Sequence, residues 1–152
     1  MNNVLGYKCS LCGQEYGADE IEYVCPKHGD MGNLDVVLDY AAINRAASPA
    51  SIAESRDFSL WRYLPLLPVA DPGFTGTPLR SAGWTPLYRA DRLAAALGLR
   101  NLFIKDDGRN PTASFKDRAS AVVVARAREI GARVIAAAST GNAGAALAGM
   151  AA

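Results

Sequence analysis

Lysine and histidine are scarce in this sequence of 152 residues: there are four lysines (Lys8, Lys27, Lys105 and Lys116) and one histidine, His28. Cysteine is limited to Cys9, Cys12 and Cys25, and a disulfide framework built on three would leave one thiol over. No excess of either charge exists. The formal net charge is +1, which excludes the strong electrostatic footprint of a protein that binds nucleic acid or an acidic membrane through its surface charge. No apolar run approaches the ~20 residues a membrane-spanning helix needs. The opening MNNVLGYKCS has neither the basic start nor the apolar stretch of a secretory signal. These absences predict a cytoplasmic protein. Half of the residues are apolar and a fifth charged, which is globular composition, and the length suits one domain or a small domain with part of a larger one.

Three zones follow one another. Residues 1–40 hold every cysteine and the histidine. Residues 41–75 are rich in alanine and serine and then in proline, as in a linker that ends on an apolar anchor around Trp61, Tyr63, Leu64, Leu66 and Leu67. Residues 76–152 alternate strand-like and helix-like segments. Asp91–Leu97 reads as a short helix stopped by Gly98, and Leu102–Lys105 as a buried strand. Ser114–Ile130 reads as a helix with Phe115, Ala119, Val122, Val123 and Ile130 mostly on one side, Val134–Ala138 as a second strand, and Ala145 onward as another helix. Strand, helix, strand, helix favours a parallel sheet with right-handed crossovers, whose ligands bind where strands open into helices. The loops DDGRNPTASF and STGNAG lie at such places. The near-repeat GTPL (Gly76–Leu79) and WTPL (Trp84–Leu87) suggests two paired edge pieces.

Cys9, Cys12, Cys25 and His28 have the spacing C-x2-C, twelve residues, C-x2-H. Each close pair can form a knuckle directing two ligands at one tetrahedral metal, and the intervening chain has turn residues (Gly17, Ala18, Asp19) and a strand-like stretch, Ile21–Val24. A small domain has too little core to fold without such a staple. Four protein ligands leave no open position, so a zinc ion held here is structural. The segment is acidic (Glu15, Asp19, Glu20, Glu22, Asp30), which argues against phosphate-backbone contacts.

Lys116 falls early in its helix, beside Phe115, where burial and the positive helix end both favour the neutral amine that attacks carbonyls. A surface lysine beside Asp117 is the alternative. Ser139–Gly144 follows a strand and opens a helix, and its glycines and N–H groups suit a carboxylate or phosphate; an ordinary capped turn is the alternative. The loop does not match the glycine patterns of dinucleotide or nucleoside-triphosphate sites.

Taken together, GWTPL, FIKDDGRNPTASFKDR and STGNAG, in this order and spacing, resemble pyridoxal-phosphate enzymes of the tryptophan-synthase-β-like fold, and among them the threonine synthase family. The resemblance runs from about Trp61 to Ala152, and the N-terminal knuckle is similar to a leader found in some of those enzymes. It implies a three-layer α/β fold with a parallel sheet, of which this would be the N-terminal part, preceded by a zinc-ribbon-like knuckle. It implies that Lys116 carries pyridoxal 5'-phosphate covalently, that Asn142 hydrogen-bonds the pyridine 3-hydroxyl, and that Ser139 and Thr140 hold the substrate carboxylate with the loop N–H groups at Gly141. The implied lyase reaction converts O-phospho-L-homoserine and water to L-threonine and phosphate: the freed Lys116 amine moves protons at Cα and Cβ, phosphate leaves Cγ, and water adds at Cβ. Lys105 and Arg109 are the candidate partners of the substrate phosphate. The family motif reads P-T-G-S-F-K, and Ala113 stands at its glycine position, where helical dihedrals would accommodate the methyl group.

The family's glycine-rich cup for the cofactor phosphate and the residue facing the pyridine nitrogen are not found in these residues. The chain alone is therefore expected to be incompetent as an enzyme, and a homodimer belongs to the full-length form. A threonine or serine dehydratase or a cysteate synthase would share Lys116 and Asn142, and a zinc-binding module fused to a decayed domain would keep only the cysteine cluster.

Overall fold

The structure is a computed structural model that describes residues 3–21 and 23–152. It divides into two units: one runs to Glu54 and includes Tyr63–Ala70, and the other comprises Ser55–Arg62 and Asp71–Ala152.

In the first unit β1 (Val4–Cys9), β2 (Glu15–Gly17) and β3 (Leu34–Leu38) form an antiparallel sheet in the order β2-β1-β3. Two turns interrupt it. Gly13, at φ +70, donates its N–H to the Cys9 carbonyl (2.9 Å) and closes the first. A 3-10 turn, Gly29–Met31, closes the second, with the N–H groups of His28 and Gly29 both on the Cys25 carbonyl (3.0 Å each). The strand expected over Ile21–Val24 shrinks to a single bridge between Val24 and Asn33, because the chain turns at once into the Cys25 knuckle; Glu22 lies outside the described residues. The chain continues into α1 (Tyr40–Ala46), capped by the Asp39 carboxylate on Ala42 N–H, and α2 (Pro49–Ala53), capped reciprocally by Ser48 and Ser51. Asn3 ties the returning stretch down by donating to the carbonyls of Pro65 (2.8 Å) and Leu67 (3.1 Å).

The second unit holds α3 (Pro78–Ser81), β4 (Leu87–Arg89), α4 (Asp91–Ala96), β5 (Phe103–Lys105), α5 (Lys116–Glu129) and α6 (Asn142–Ala151). The apolar anchor expected around Trp61 is real at Trp61, which is buried and donates its indole N–H to the Leu79 carbonyl at 2.9 Å. Tyr63–Leu67 belong to the other unit, and Tyr63 and Leu66 are exposed.

Three expectations are corrected here. The two Thr-Pro segments do not pair: Thr77 caps α3, with Pro78 as its first residue, whereas Pro86 precedes β4. Proline at a helix start needs no N–H partner, so the same dipeptide serves two unlike roles. Residues 134–138 form no regular element and pair with no described strand, and the one sheet among the described residues of this unit joins β4 and β5 antiparallel. A strand needs a neighbour for its N–H and C=O groups, and none of the described residues provides one. Finally, α5 buries Asp117, Ser120, Ala121, Val124, Ala125 and Ala127, while Phe115, Val123 and Ile130 are exposed. Its inward stripe runs i, i+3, i+4, i+7 from a carboxylate and small side chains that fit against α6.

What positions α5 is the loop before it. Asp107 accepts from Arg118 Nε (3.1 Å) and Nη2 (2.9 Å) and from Thr85 Oγ1 (2.5 Å), and Arg118 Nη2 also reaches Thr85 Oγ1 (3.1 Å). The Lys105 ammonium donates to the Thr85 carbonyl. Buried Asn110 accepts Gly83 N–H (2.9 Å) and donates to the Asp107 carbonyl (3.0 Å). Gly83, at φ +91, has no room for a side chain: a Cβ there would lie 2.7 Å from Leu60 N. The segment GWTPL is thus tied to the loop that leads to Lys116. The Arg118 guanidinium, with Thr85, holds the Asp107 carboxyl down at about 2, against an ordinary 3.8. A depressed folded pKa contributes stability that is full above the unfolded value and is lost as pH falls through the folded one. Asp107→Asn is expected to cost about 1–2 kcal/mol near neutral pH, with the difference from the parent vanishing as pH falls from about 4 to about 2. Urea unfolding midpoints across that range measure it; a difference independent of pH contradicts the assignment.

Candidate functional site

Two separate constellations carry chemistry, one in each unit. In the first, the ligand atoms of Cys9, Cys12, Cys25 and His28 all lie within 4.8 Å of one another. Cys9 Sγ is 3.7 Å from His28 Nδ1, and Cys12 Sγ is 4.0 Å from Cys25 Sγ. A tetrahedron with metal–sulfur bonds of ~2.3 Å has edges of roughly that length. The three thiols are free, and Cys9 and Cys25 are buried. Gly32 supplies the space: a Cβ there would lie 2.7 Å from Cys25 Cβ and 2.9 Å from His28 Cβ.

The electrostatics favour the thiolate at Cys9 and Cys25; Cys12 is raised, its bond from the Gln14 N–H being outweighed by desolvation and the neighbouring Cys9 and Cys25 sulfurs. Cys25 is brought down to about 6, foremost by the Tyr16 hydroxyl 3.1 Å from its sulfur and then by His28. The same contact pushes the Tyr16 phenol up to about 12. Cys9 is lowered, chiefly by the backbone N–H of Cys12, and His28 is raised, chiefly by Cys25. The donor set and its spacing fit a thiophilic ion such as zinc. Spacing alone pointed to the four ligands. Tyr16 and Gly32 carried no such signal, because their parts depend on how β2 and the second knuckle fold back.

In the second unit, Lys116 is the first residue of α5. Its N–H donates to Ser114 Oγ at 3.2 Å, and Asp117 beside it is fully buried. The Asp117 carboxylate accepts from Thr112 N–H (2.7 Å) and from the Thr112 hydroxyl, which closes the loop onto the helix start. Thr112 in turn packs on α6, where a Cβ on Gly149 would lie 2.5 Å from its Cγ2. The burial expected for Lys116 is absent. The side chain is exposed, with its ammonium 4.7 Å from the centre of the Phe115 ring and in no ion pair among the described residues. Asp117, the expected surface neighbour, turns inward instead, since its two Thr112 donors replace water.

Ala113 does not take the helical dihedrals expected of it. It sits at φ +56, in the left-handed region that favours glycine, so the family's glycine has a backbone reason at this position. The methyl group costs roughly 1–2 kcal/mol of strain there.

Asn142 opens α6, and both it and Thr140 are exposed; Ser139 is half-buried and takes Gly141 N–H on its hydroxyl at 3.3 Å. No side chain caps this helix. Gly144 lets the turn close, since a Cβ there would lie 2.6 Å from the Ser139 carbonyl oxygen. The structure therefore brings Ser139, Thr140, Gly141 and Asn142 together at one helix start and Lys116 to another, on helices packed against each other. A cavity of about 510 Å3 between α5, residues 132–139 and α6 takes in Ser139 and Gly144 but neither Lys116 nor Asn142. Of the two candidate phosphate partners, Lys105 is engaged with the Thr85 carbonyl, while Arg109 is exposed. Among the described residues, no helix is long and apolar enough to cross a membrane.

Residues 79–152 match the family described as pyridoxal-phosphate dependent enzyme. The chain is 44% identical over 141 residues to a threonine synthase of Methanosarcina acetivorans, covering 93% of the chain and 33% of that protein. It is 42% identical to a threonine synthase of Methanocaldococcus jannaschii over the same shares, and 45% identical over 87 residues to one of Synechocystis sp., 57% of the chain and 22% of that protein. No solved structure matches. The chain thus spans about a third of the length of the first two relatives. Residues 79–152 are thus similar to the pyridoxal-phosphate dependent enzymes, and along nearly its whole length the chain is similar to threonine synthases.

Proposed function

We propose that these residues supply the cofactor lysine of a threonine synthase, which converts O-phospho-L-homoserine and water to L-threonine and phosphate. The observation that carries this reading is the 44% identity over 93% of the chain, in which Lys116 stands at a helix start with no carboxylate on its amine among the described residues. Pyridoxal phosphate, when bound, supplies an electron sink for charge developing on the substrate carbon skeleton. Lys116 would hold it covalently and would then hold and move protons at Cα and Cβ. Asn142, whose amide has no partner among the described residues, would hydrogen-bond the 3-hydroxyl. Ser139, Thr140 and the N–H at Gly141 would take the substrate carboxylate, an anion suited to the uncapped start of α6. Arg109 is better placed than Lys105 to meet the substrate phosphate, since Lys105 is already engaged.

In this reading residues 134–138 are a strand of the family's three-layer parallel sheet, and their unpaired backbone would find neighbours there. The Cys9–Cys12–Cys25–His28 cluster would hold structural zinc, closed to a catalytic water. A reducing cytoplasm would keep its thiols free.

The test is a hybrid enzyme in which this chain replaces the matching third of the Methanosarcina acetivorans relative. The hybrid is expected to release phosphate from O-phospho-L-homoserine with equimolar threonine, and Lys116→Ala to lower kcat by at least about 10^3-fold. Turnover of threonine or serine to an oxoacid without phosphate release, or turnover indifferent to Lys116→Ala, would overturn the reading.

A further inference from the structure

We propose that Tyr16 is a positioning residue of the Cys3His centre: its phenolic hydroxyl donates a hydrogen bond to the Cys25 thiolate and fixes that sulfur at the vertex it offers the metal. The proposal rests on the zinc reading above and adds to it a residue outside the ligand set.

The geometry starts in the sheet. Tyr16 of β2 pairs with Tyr7 of β1, and Cys9 lies two residues beyond Tyr7. Side chains of paired residues share a face, and so do residues i and i+2 along one strand. Tyr16 is therefore directed to the side of the sheet on which Cys9 stands. Its backbone is pressed close to β1 at Gly6, where a Cβ would lie 2.1 Å from the Tyr16 carbonyl oxygen. That approach fixes the Tyr16 backbone against β1, and the phenolic oxygen lies 3.1 Å from Cys25 Sγ, well inside the limit for a hydrogen bond to sulfur.

The chemistry gives the contact its purpose. Three thiolates and a neutral imidazole leave a zinc centre with one net negative charge. Cys25 is 0% exposed, so bulk water does not reach it to disperse its share of that charge. A donor aimed at the sulfur does so instead, and also limits where the sulfur can swing. Partners of this kind, one layer outside the ligands, commonly set metal affinity by 10–100-fold. Tyr16→Phe keeps the ring and removes only the donor.

The experiment uses the 152-residue chain with zinc and cobalt(II) as probes. The parent is expected to bind one cobalt ion with tetrahedral d–d bands and a sulfur-to-cobalt charge-transfer band, and to release it to zinc. Tyr16→Phe is expected to keep the d–d bands, to move the charge-transfer band to lower energy because the thiolate loses its hydrogen bond, and to bind zinc about tenfold more weakly against a competing chelator. An unchanged charge-transfer band together with unchanged zinc affinity overturns the role of Tyr16 while leaving the zinc site standing. Failure of the parent to bind either ion overturns the zinc reading itself. Should Tyr16→Phe not fold, the parent loaded with 113Cd decides: a Tyr16 hydroxyl proton protected from exchange and coupled to the metal supports the contact, and a freely exchanging, uncoupled one overturns it.

Discussion

Everything the second unit presents depends on two carboxylates that hold one loop. Asp107 binds Arg118 and Thr85, and Asp117 binds both donors of Thr112. The first joins the segment around Trp84 to the first turn of α5. The second folds residues 112–115 back on that turn, at the expense of a left-handed Ala113. Lys116 lies between these fixtures. Its backbone is determined on both sides while its side chain stays exposed, resting on the Phe115 ring with no carboxylate on it among the described residues. The Asp117 bonds are the costlier to break singly, because Asp117 is fully buried and would be left without donors.

The first unit solves a different problem by a different route. Its sheet has three short strands, and its most buried side chains include Cys9 and Cys25. A core that small does not stabilise a fold by apolar burial alone. Convergence of three sulfurs and an imidazole would replace the missing core with coordination bonds, and Gly32, Gly6 and Tyr16 are the residues that let backbone and ring come close enough.

How much of this was legible follows from how local each feature is. The convergence of Cys9, Cys12, Cys25 and His28 was readable because each pair lies within one tight turn, so its spacing alone directs two side chains to a point. Lys116 and the Ser139–Asn142 loop were readable as short motifs at helix starts, and α4, β5 and α5 lie within two residues of where the pattern put them. The inward face of α5 was not readable from hydrophobicity. The stripe opens with Asp117 and Ser120, and Asp117 is buried only because Thr112 satisfies it. Burial of Lys116 failed for a related reason, since Phe115 turns outward with it. Residues 134–138 carry a strand's composition, but pairing is a property of two segments, and composition describes one. Ala113 read as harmless in a helix; the loop closure that puts it at positive φ involves Asn110 and Asp117, which the motif alone does not place.

Under the proposed function, this loop presents Lys116 to the cofactor. The direct measurement is borohydride reduction of the hybrid enzyme in the presence of pyridoxal phosphate, followed by peptide mapping. A single phosphopyridoxyl group is expected, on Lys116, and its absence when Asp117→Asn loosens the loop. A label on Lys105, Lys27 or Lys8 in place of Lys116, or none on any of the four, would contradict it.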